Sequence, residues 1–489
     1  MIPKETLPPT DILRQKVTGR GIKGDPVGEL GGARWVDFQA PSAFKGPRIE
    51  PAVYDALINE GAHTYVAQEL QPYLNIWLKN NPGKKVVNFH VGEPSEIPLD
   101  SYFSEGIKVY TQRKKEDFGY QSTKGREDVA EVWAGHINRW KIYADPVQPE
   151  ELIFGASGKT YAIMLGSVLR RDGMNATVFT PMYPGHAAAA MEATSVNKEP
   201  GKHGIYGIPV TEKNHWMPDP NETAEILDTT KPGFIIICNP QNPTGGVLTK
   251  ETAKPFVDHV KENPETVIFE DLVYHPIVFN EKMVTLAGYK EIQANVVGMD
   301  SLSKDSAVTG ARVSALVIRN EIKQVRDAVL AKMNHLISSG PTPESVIAKG
   351  ALSVEGDREI VKRVDLYKKK KDTVVEAFNE VGLDSNNPGG AFYLMVRVPD
   401  GVTASKFAKL AAQYAGVTFL PAKNFGSWKN ADGSYKIKNP KGEPLYPEET
   451  AERYIRVAYV GDINDMGDGI RRLAPLIQQL GGQAAAAAA

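Results

Sequence analysis

The stretch DSLSKDSAVTGAR at 300–312 holds Lys304, whose primary amine can capture a carbonyl as an imine. Arg312 follows eight residues later, with a guanidinium fork suited to a dianionic phosphate, and Ser301 adds a hydroxyl three residues before the lysine. Upstream, the apolar run TVIFED at 266–271 ends in Asp271, and Tyr274 follows it. The segment NPQNPTGG at 239–246 contributes Asn242. Gly155-Ala156-Ser157 precedes a helical pattern from Lys159 to Leu169, so the backbone N–H groups of Ala156 and Ser157 can face an anion at a helix N-terminus. Arg456 stands in the apolar run YIRV, where a buried guanidinium needs an anionic partner. Taken singly, each feature has a plain explanation: a turn, a solvated lysine, an edge-strand arginine. Their occurrence together points to one site. The string GASGKT at 155–160 ends like a nucleotide-binding P-loop, but that motif requires a glycine where Ile153 stands, so the nucleotide reading fails.

The elements that must hold these residues follow from apolar patterning. ATVFTP (176–181), GFIIICNP (233–240), TVIFED (266–271), ANVVGMDS (294–301) and SALVIRN (314–320) lack polar alternation. Such runs predict strands covered on both faces in a mostly parallel α/β sheet, interleaved with helices over 96–345. Between Thr64 and Asn80, Val66, Leu70, Leu74, Trp77 and Leu78 recur at helical spacing, and Asn80-Asn81-Pro82-Gly83 ends the helix. A charged helix over roughly 357–380 leads to NPGGAFYLMVRVP and YIRVAYV, the pattern of a smaller α+β domain over 346–480 to which 51–95 also contribute. Residues 1–50, rich in proline and glycine, read as an extended arm, and 481–489 as a low-complexity tail without a function.

The series NPQNPTGG, Asp271-Leu-Val-Tyr274 and Ser-Leu-Ser-Lys304 with Arg312 resembles the class I and II aminotransferases, of the aspartate-aminotransferase fold type, over about residues 87–475. The resemblance implies the fold type I architecture, with a large seven-stranded-type sheet domain, and pyridoxal 5′-phosphate bound as a Schiff base to Lys304. It further implies that Lys304 moves the proton and that Asp271 pairs with the pyridine nitrogen to strengthen the electron sink. Asn242 and Tyr274 match the groups at the phenolic oxygen, and Tyr183, in TPMYP, matches the aromatic that stacks on the ring. Ser157, Ala156, Ser301 and Arg312 match the phosphate end. Tyr120, in the pattern Tyr-x-x-x-x-Gly125, resembles the tyrosine that reaches the neighbouring subunit's phosphate, which implies a homodimer. Arg456 matches the residue that grips the substrate α-carboxylate, and Gly92, in VNFHVGEP, the glycine whose backbone approaches it.

Aminotransfer to a 2-oxo acid, in ping-pong order, is the reaction most relatives with these motifs perform. Ala311 before the arginine, Pro421-Ala422 in place of Pro-Gly, and a segment of about 85 residues before the core depart from the pattern. With SLSKD they keep β/γ-elimination or replacement as the alternative, on S-adenosylmethionine or in the manner of an aspartate β-decarboxylase. Composition bounds the rest. The 489 residues are 42% hydrophobic and 24% charged, enough for substantial cores, and 57 basic against 59 acidic residues give a formal charge of −2. Neither nucleic acid nor a membrane surface is an expected partner. A lone cysteine, Cys238, an N-terminus without a signal pattern and no apolar run of about 20 residues predict a cytoplasmic, soluble protein. His and carboxylates show no metal-ligand spacing, so no metal is expected. His90 and His275 read as packed or surface side chains rather than catalytic ones.

Overall fold

In a computed structural model of the chain, the described residues are 63–155, 157–195, 204–279, 282–429 and 434–488. The expected arm over 1–50 lies outside them. Eight strands build the main sheet, in the spatial order Ile437–Lys438, Ile205–Pro209, Ala176–Thr180, Phe234–Cys238, Val267–Asp271, Val296–Ser301, Ser314–Val317, Leu152–Gly155. Ser314–Val317 alone runs antiparallel to its two neighbours. Within a strand, alternate residues enter different cores. Phe234, Ile236 and Cys238 join Tyr161, Leu165 and Ala190 from the helices Gly158–Leu169 and Pro184–Thr194. Ile235 and Ile237 join Trp133, Ile137, Phe256 and Val260 from Glu127–Arg139 and Lys250–Glu262. Both faces are therefore covered, which is why these runs read as continuously apolar.

The edge strand Ile437–Lys438 adds an eighth member to the seven-stranded type of sheet expected. It pairs in parallel with Ile205 and Tyr206, so chain between two strands of the second sheet returns to the first. That second sheet is antiparallel, in the order Leu420–Pro421, Tyr454–Ala458, Tyr393–Arg397, and Val87–Asn88 pairs separately with Val417–Thr418. The helix His63–Asn80 packs against Ala404–Ala415, with Leu70, Leu74 and Trp77 buried. Leu78, assigned to the same face by its spacing, is exposed. The tail is not structureless: the helix Ala474–Ala488 runs through its alanines, the strongest helix formers.

The two sheets meet at the NPQNPTGG loop, which buried polar groups hold. The Glu270 carboxylate accepts from the backbone N–H groups of Leu286 (2.9 Å) and Ala287 (3.0 Å) and from the Asn239 amide (3.1 Å), while the Asn239 carbonyl oxygen accepts from Leu248 N–H (3.1 Å). Downstream, the Gly245 carbonyl accepts from Gly389 (2.9 Å) and Gly390 (3.0 Å), tying the loop to the chain entering the Tyr393 strand. Gly245 has φ +71°, and a Cβ there would lie 2.3 Å from Pro388 Cβ and 2.5 Å from the Tyr393 carbonyl oxygen. Gly382, at φ +79°, has open space around it. Gly382→Ala should therefore cost only the left-handed backbone penalty of about 1 kcal/mol. Gly245→Ala adds overpacking and should cost at least about 2 kcal/mol more. Denaturation midpoints of the two variants check this; equal midpoints contradict it.

Candidate active site

The carboxyl ends of parallel strands and the start of the one antiparallel strand converge on a cavity of about 490 Å³. Asp271 is the last residue of its strand, Asn242 and Tyr183 follow Cys238 and Thr180 in the loops beyond theirs, and Lys304 comes just after Ser301. Because Ser314 pairs with both Gly155 and Ser301, the antiparallel strand sets Arg312 beside the end of one strand and the Ser157 helix start beside another. Gly92, Ser157, Tyr183, Asn242, Asp271, Tyr274, Ser301, Lys304, Arg312 and Arg456 all line the cavity. Tyr120, also singled out in the sequence, does not join them. Ala156 lies outside the described residues, and the Tyr120 side chain is 92% exposed on the chain's surface.

The Lys304 amine donates to the Gly92 carbonyl at 2.7 Å. Burial, with the Arg456 charge as the next cause, lowers its pKa from 10.5 to about 8. A lysine in the unfolded chain keeps its proton to about 10.5, so this group makes the folded, cofactor-free protein gain stability as pH rises from about 8 toward 10.5. Such an amine is a nucleophile and a proton carrier near neutral pH. Asp271 is buried and fully engaged: Oδ1 accepts from Val273 N–H (3.2 Å) and Oδ2 meets His186 Nε2 at 3.0 Å. Tyr274 shares a hydrogen bond of 2.9 Å with Tyr393, and burial raises the pKa of both phenols, so both stay protonated donors.

Arg456 is 5% exposed and, among the described residues, pairs with no carboxylate. It donates to the His90 carbonyl (2.6 Å) and Asn242 Oδ1 (3.3 Å), and lies 4.6 Å from the Tyr393 ring centre and 5.0 Å from that of Phe425. Its Nε has no hydrogen-bond partner. A guanidinium taken out of water without an anion is costly, so the cavity is built to receive one.

At the other end, Ser157 caps the helix Gly158–Leu169 by accepting from Thr160 N–H at 3.3 Å, leaving the first-turn N–H groups for an anion. Ser301 Oγ donates to the Val313 carbonyl (3.1 Å), and Arg312, at φ +56°, donates to the Thr309 carbonyl (2.9 Å). A left-handed arginine is uncommon, and here it brings the side chain to the cavity wall. An anion seat with an arginine, an aromatic, a buried carboxylate and a lysine of lowered pKa around one cavity fit pyridoxal phosphate in size and donor set.

Sequence reasoning missed four residues. His186 backs Asp271 from the first turn of Pro184–Thr194, three residues after Tyr183. Tyr393 lines the cavity from the second sheet, and Gly389-Gly390 ahead of it was the available signal. His90 lines it too, half-buried, with its pKa lowered to about 4 by desolvation and the Arg456 charge, hence neutral. Thr309 is the fourth. Cys238, taken as core, is buried and also reaches the cavity wall.

A sheet of this topology around such a lysine defines a fold type I pyridoxal-phosphate enzyme. The chain belongs to the aminotransferase class I and II family, whose model matches residues 84–443. It is 27% identical over 386 residues to an LL-diaminopimelate aminotransferase of Methanocaldococcus jannaschii, covering 76% of this chain and 86% of the relative. To an aspartate aminotransferase of Pyrococcus abyssi it is 24% identical over 405 residues, covering 81% and 92%. Its fold matches the solved aromatic aminotransferase of Pyrococcus horikoshii at a TM-score of 0.68 and 20% identity, covering 83% and 99%. The solved aspartate aminotransferase of Thermotoga maritima matches at 0.68 and 21%, covering 84% and 96%. The protein is thus a pyridoxal-phosphate-dependent aminotransferase.

The geometry of Lys304 makes a checkable statement. Competitive acetylation of the cofactor-free protein, read by peptide mass spectrometry, should show Lys304 reactivity rising with pH through a midpoint near 8. Arg456→Gln should move that midpoint upward, because it removes a neighbouring positive charge; a midpoint near 10.5 in the unaltered protein contradicts the reading.

Proposed function

We propose that this aminotransferase takes an α-amino acid whose carboxylate is held by Arg456, and that Lys304 is the catalytic amine. The observation that carries the proposal is the buried guanidinium of Arg456, without an anion, in the same cavity as the Lys304 amine. Bound at Lys304, pyridoxal phosphate supplies an electron sink that labilises the bonds at the substrate Cα. Ser157, Ser301 and Arg312, with the Ala156 backbone, would hold the phosphate; Asp271, backed by His186, would pair with the ring nitrogen; Asn242 and Tyr274 would bond the phenolic oxygen; Tyr183 would pack on the ring. Arg456, steadied by the His90 carbonyl and Asn242, orients the substrate, and the Gly92 carbonyl holds the Lys304 amine until it takes the Cα proton. A Cβ on Gly92 would sit 2.0 Å from the Tyr393 hydroxyl, so only glycine brings the backbone this close.

The active unit is a homodimer in which Tyr120 reaches the neighbouring site. Support comes from the exposure of Tyr120 and of Phe103, Ile107, Tyr110 and Phe118 on the same stretch of chain, an apolar surface that a second copy would cover. The large domain takes in 96–345 with the strand Ile437–Lys438, and the small one 63–95 with the rest of 346–480. No described helix is long and apolar enough to cross a membrane; a cytoplasmic setting accords with the lone, buried Cys238. Relatives named for aspartate, aromatic amino acids and LL-diaminopimelate all take α-carboxylates, which Arg456 suits, without choosing among side chains.

Mixing the holoenzyme with an α-amino acid and no acceptor should release one equivalent of the matching 2-oxo acid per chain. Release of ammonia or carbon dioxide instead would favour elimination or decarboxylation and overturn the proposal. Arg456→Gln should lower kcat/KM for the amino acid at least about 30-fold, as loss of roughly 2 kcal/mol from a charge-assisted contact requires.

A further inference from the structure

Among residues that do not line the cavity, three chain segments bring buried nitrogen and oxygen ligands together. His136 comes from the helix Glu127–Arg139, His275 from the residue after Tyr274, and Asp300 from the end of the strand leading to Lys304. One ligand atom from each lies within 4.8 Å of the other two, and all three residues are buried. His275 Nε2 approaches Asp300 Oδ1 to 3.2 Å without the alignment of a hydrogen bond. That spacing matches the edge of about 3.3 Å that tetrahedral coordination at roughly 2.0–2.1 Å imposes on two ligands. His136 is 0% exposed; its Nδ1 meets the Asp357 carboxylate at 2.7 Å, and its Nε2 has no partner.

We propose that His136, His275 and Asp300 bind a divalent cation of the zinc class, with Asp357 orienting His136 from outside and Asp305 supplying the second negative charge. A carboxylate on the far nitrogen of a histidine is the arrangement that fixes the tautomer offering Nε2 to a metal. Asp305 is 1% exposed and neither of its carboxylate oxygens has a partner, an unfavourable burial that a dication beside it would offset. Two carboxylates and one dication leave the pocket neutral. Trp133 Nε1 donates to Asp300 Oδ2 at 2.7 Å and fixes that ligand's plane. A separate cavity of about 450 Å³, lined by Trp140, Lys141, Lys250, His275 and Tyr289, gives an ion a way in. Since Asp300 and Asp305 flank Lys304 in the chain and His275 adjoins Tyr274, the cation would pin the backbone carrying two cavity residues to the helix beneath.

The test strips the holoenzyme with a chelator and dialyses it against Zn²⁺ or Co²⁺, reading bound metal per chain by mass spectrometry. One equivalent should bind, and the Co²⁺ form should show the visible bands of tetrahedral nitrogen–oxygen coordination. His136→Gln and His275→Asn should weaken binding at least tenfold. Asp357→Asn, which spares the ligands, should weaken it by roughly 10–100-fold. If either histidine variant fails to fold, judged by circular dichroism, Asp357→Asn and the Co²⁺ spectrum decide. Sub-stoichiometric binding by the unaltered protein, octahedral Co²⁺ bands, or an Asp357→Asn variant that binds as tightly as the unaltered protein overturns the proposal.

Discussion

Of the cations that line one cavity, the Arg456 guanidinium is the most deeply buried, and among the described residues no carboxylate neutralises it. Burial lowers the tendency of both the Lys304 amine and the Arg456 guanidinium to carry charge, and the Arg456 charge lowers that of the amine further. A fold tolerates this only if rigid surroundings hold both groups and if ligands that complete the electrostatics are bound during the protein's work. An anionic cofactor and an anionic substrate meet that requirement. The amine becomes reactive near neutral pH for the same reason that the site is unfavourable when bare.

The surroundings follow from topology. Parallel strands deliver Asp271, the Asn242 loop, Tyr183 and Lys304 to one edge, and the single antiparallel strand adds Arg312 to that edge by entering where its neighbours leave. Arg456 and Tyr393 come from adjacent strands of the second sheet, two positions apart in register: Arg456 pairs with Met395, two residues beyond Tyr393. The Glu270–Asn239 network and the Gly245 carbonyl then lock the first sheet's loop to the second sheet's chain. Position of the substrate grip relative to the amine is thereby a property of buried hydrogen bonds rather than of surface loops.

Much of this was legible in the sequence, where chemistry and geometry are encoded locally. Doubly covered strands appear as unbroken apolar runs, and Lys304, Asp271, Asn242 and Arg312 sit in short segments whose spacing is fixed by strand ends and turns. What stayed hidden depends on pairs far apart in the chain. His186 meets Asp271 across 85 residues, Tyr274 meets Tyr393 across 119, and Ile437 pairs with Ile205; no local signature gives these pairings. His136, His275 and Asp300 likewise stand at no metal-ligand spacing in the sequence and come within 4.8 Å of one another only in the fold. Leu78 marks the opposite limit: helical spacing alone gave it to a buried face, but the partner helix covers too narrow a stripe.

Reduction of the purified holoenzyme with borohydride, followed by proteolysis and mass spectrometry, tests the central claim most directly. The account predicts a single pyridoxyl-phosphate adduct, on Lys304. An adduct on any other lysine, or none on a protein that carries the cofactor, would contradict it.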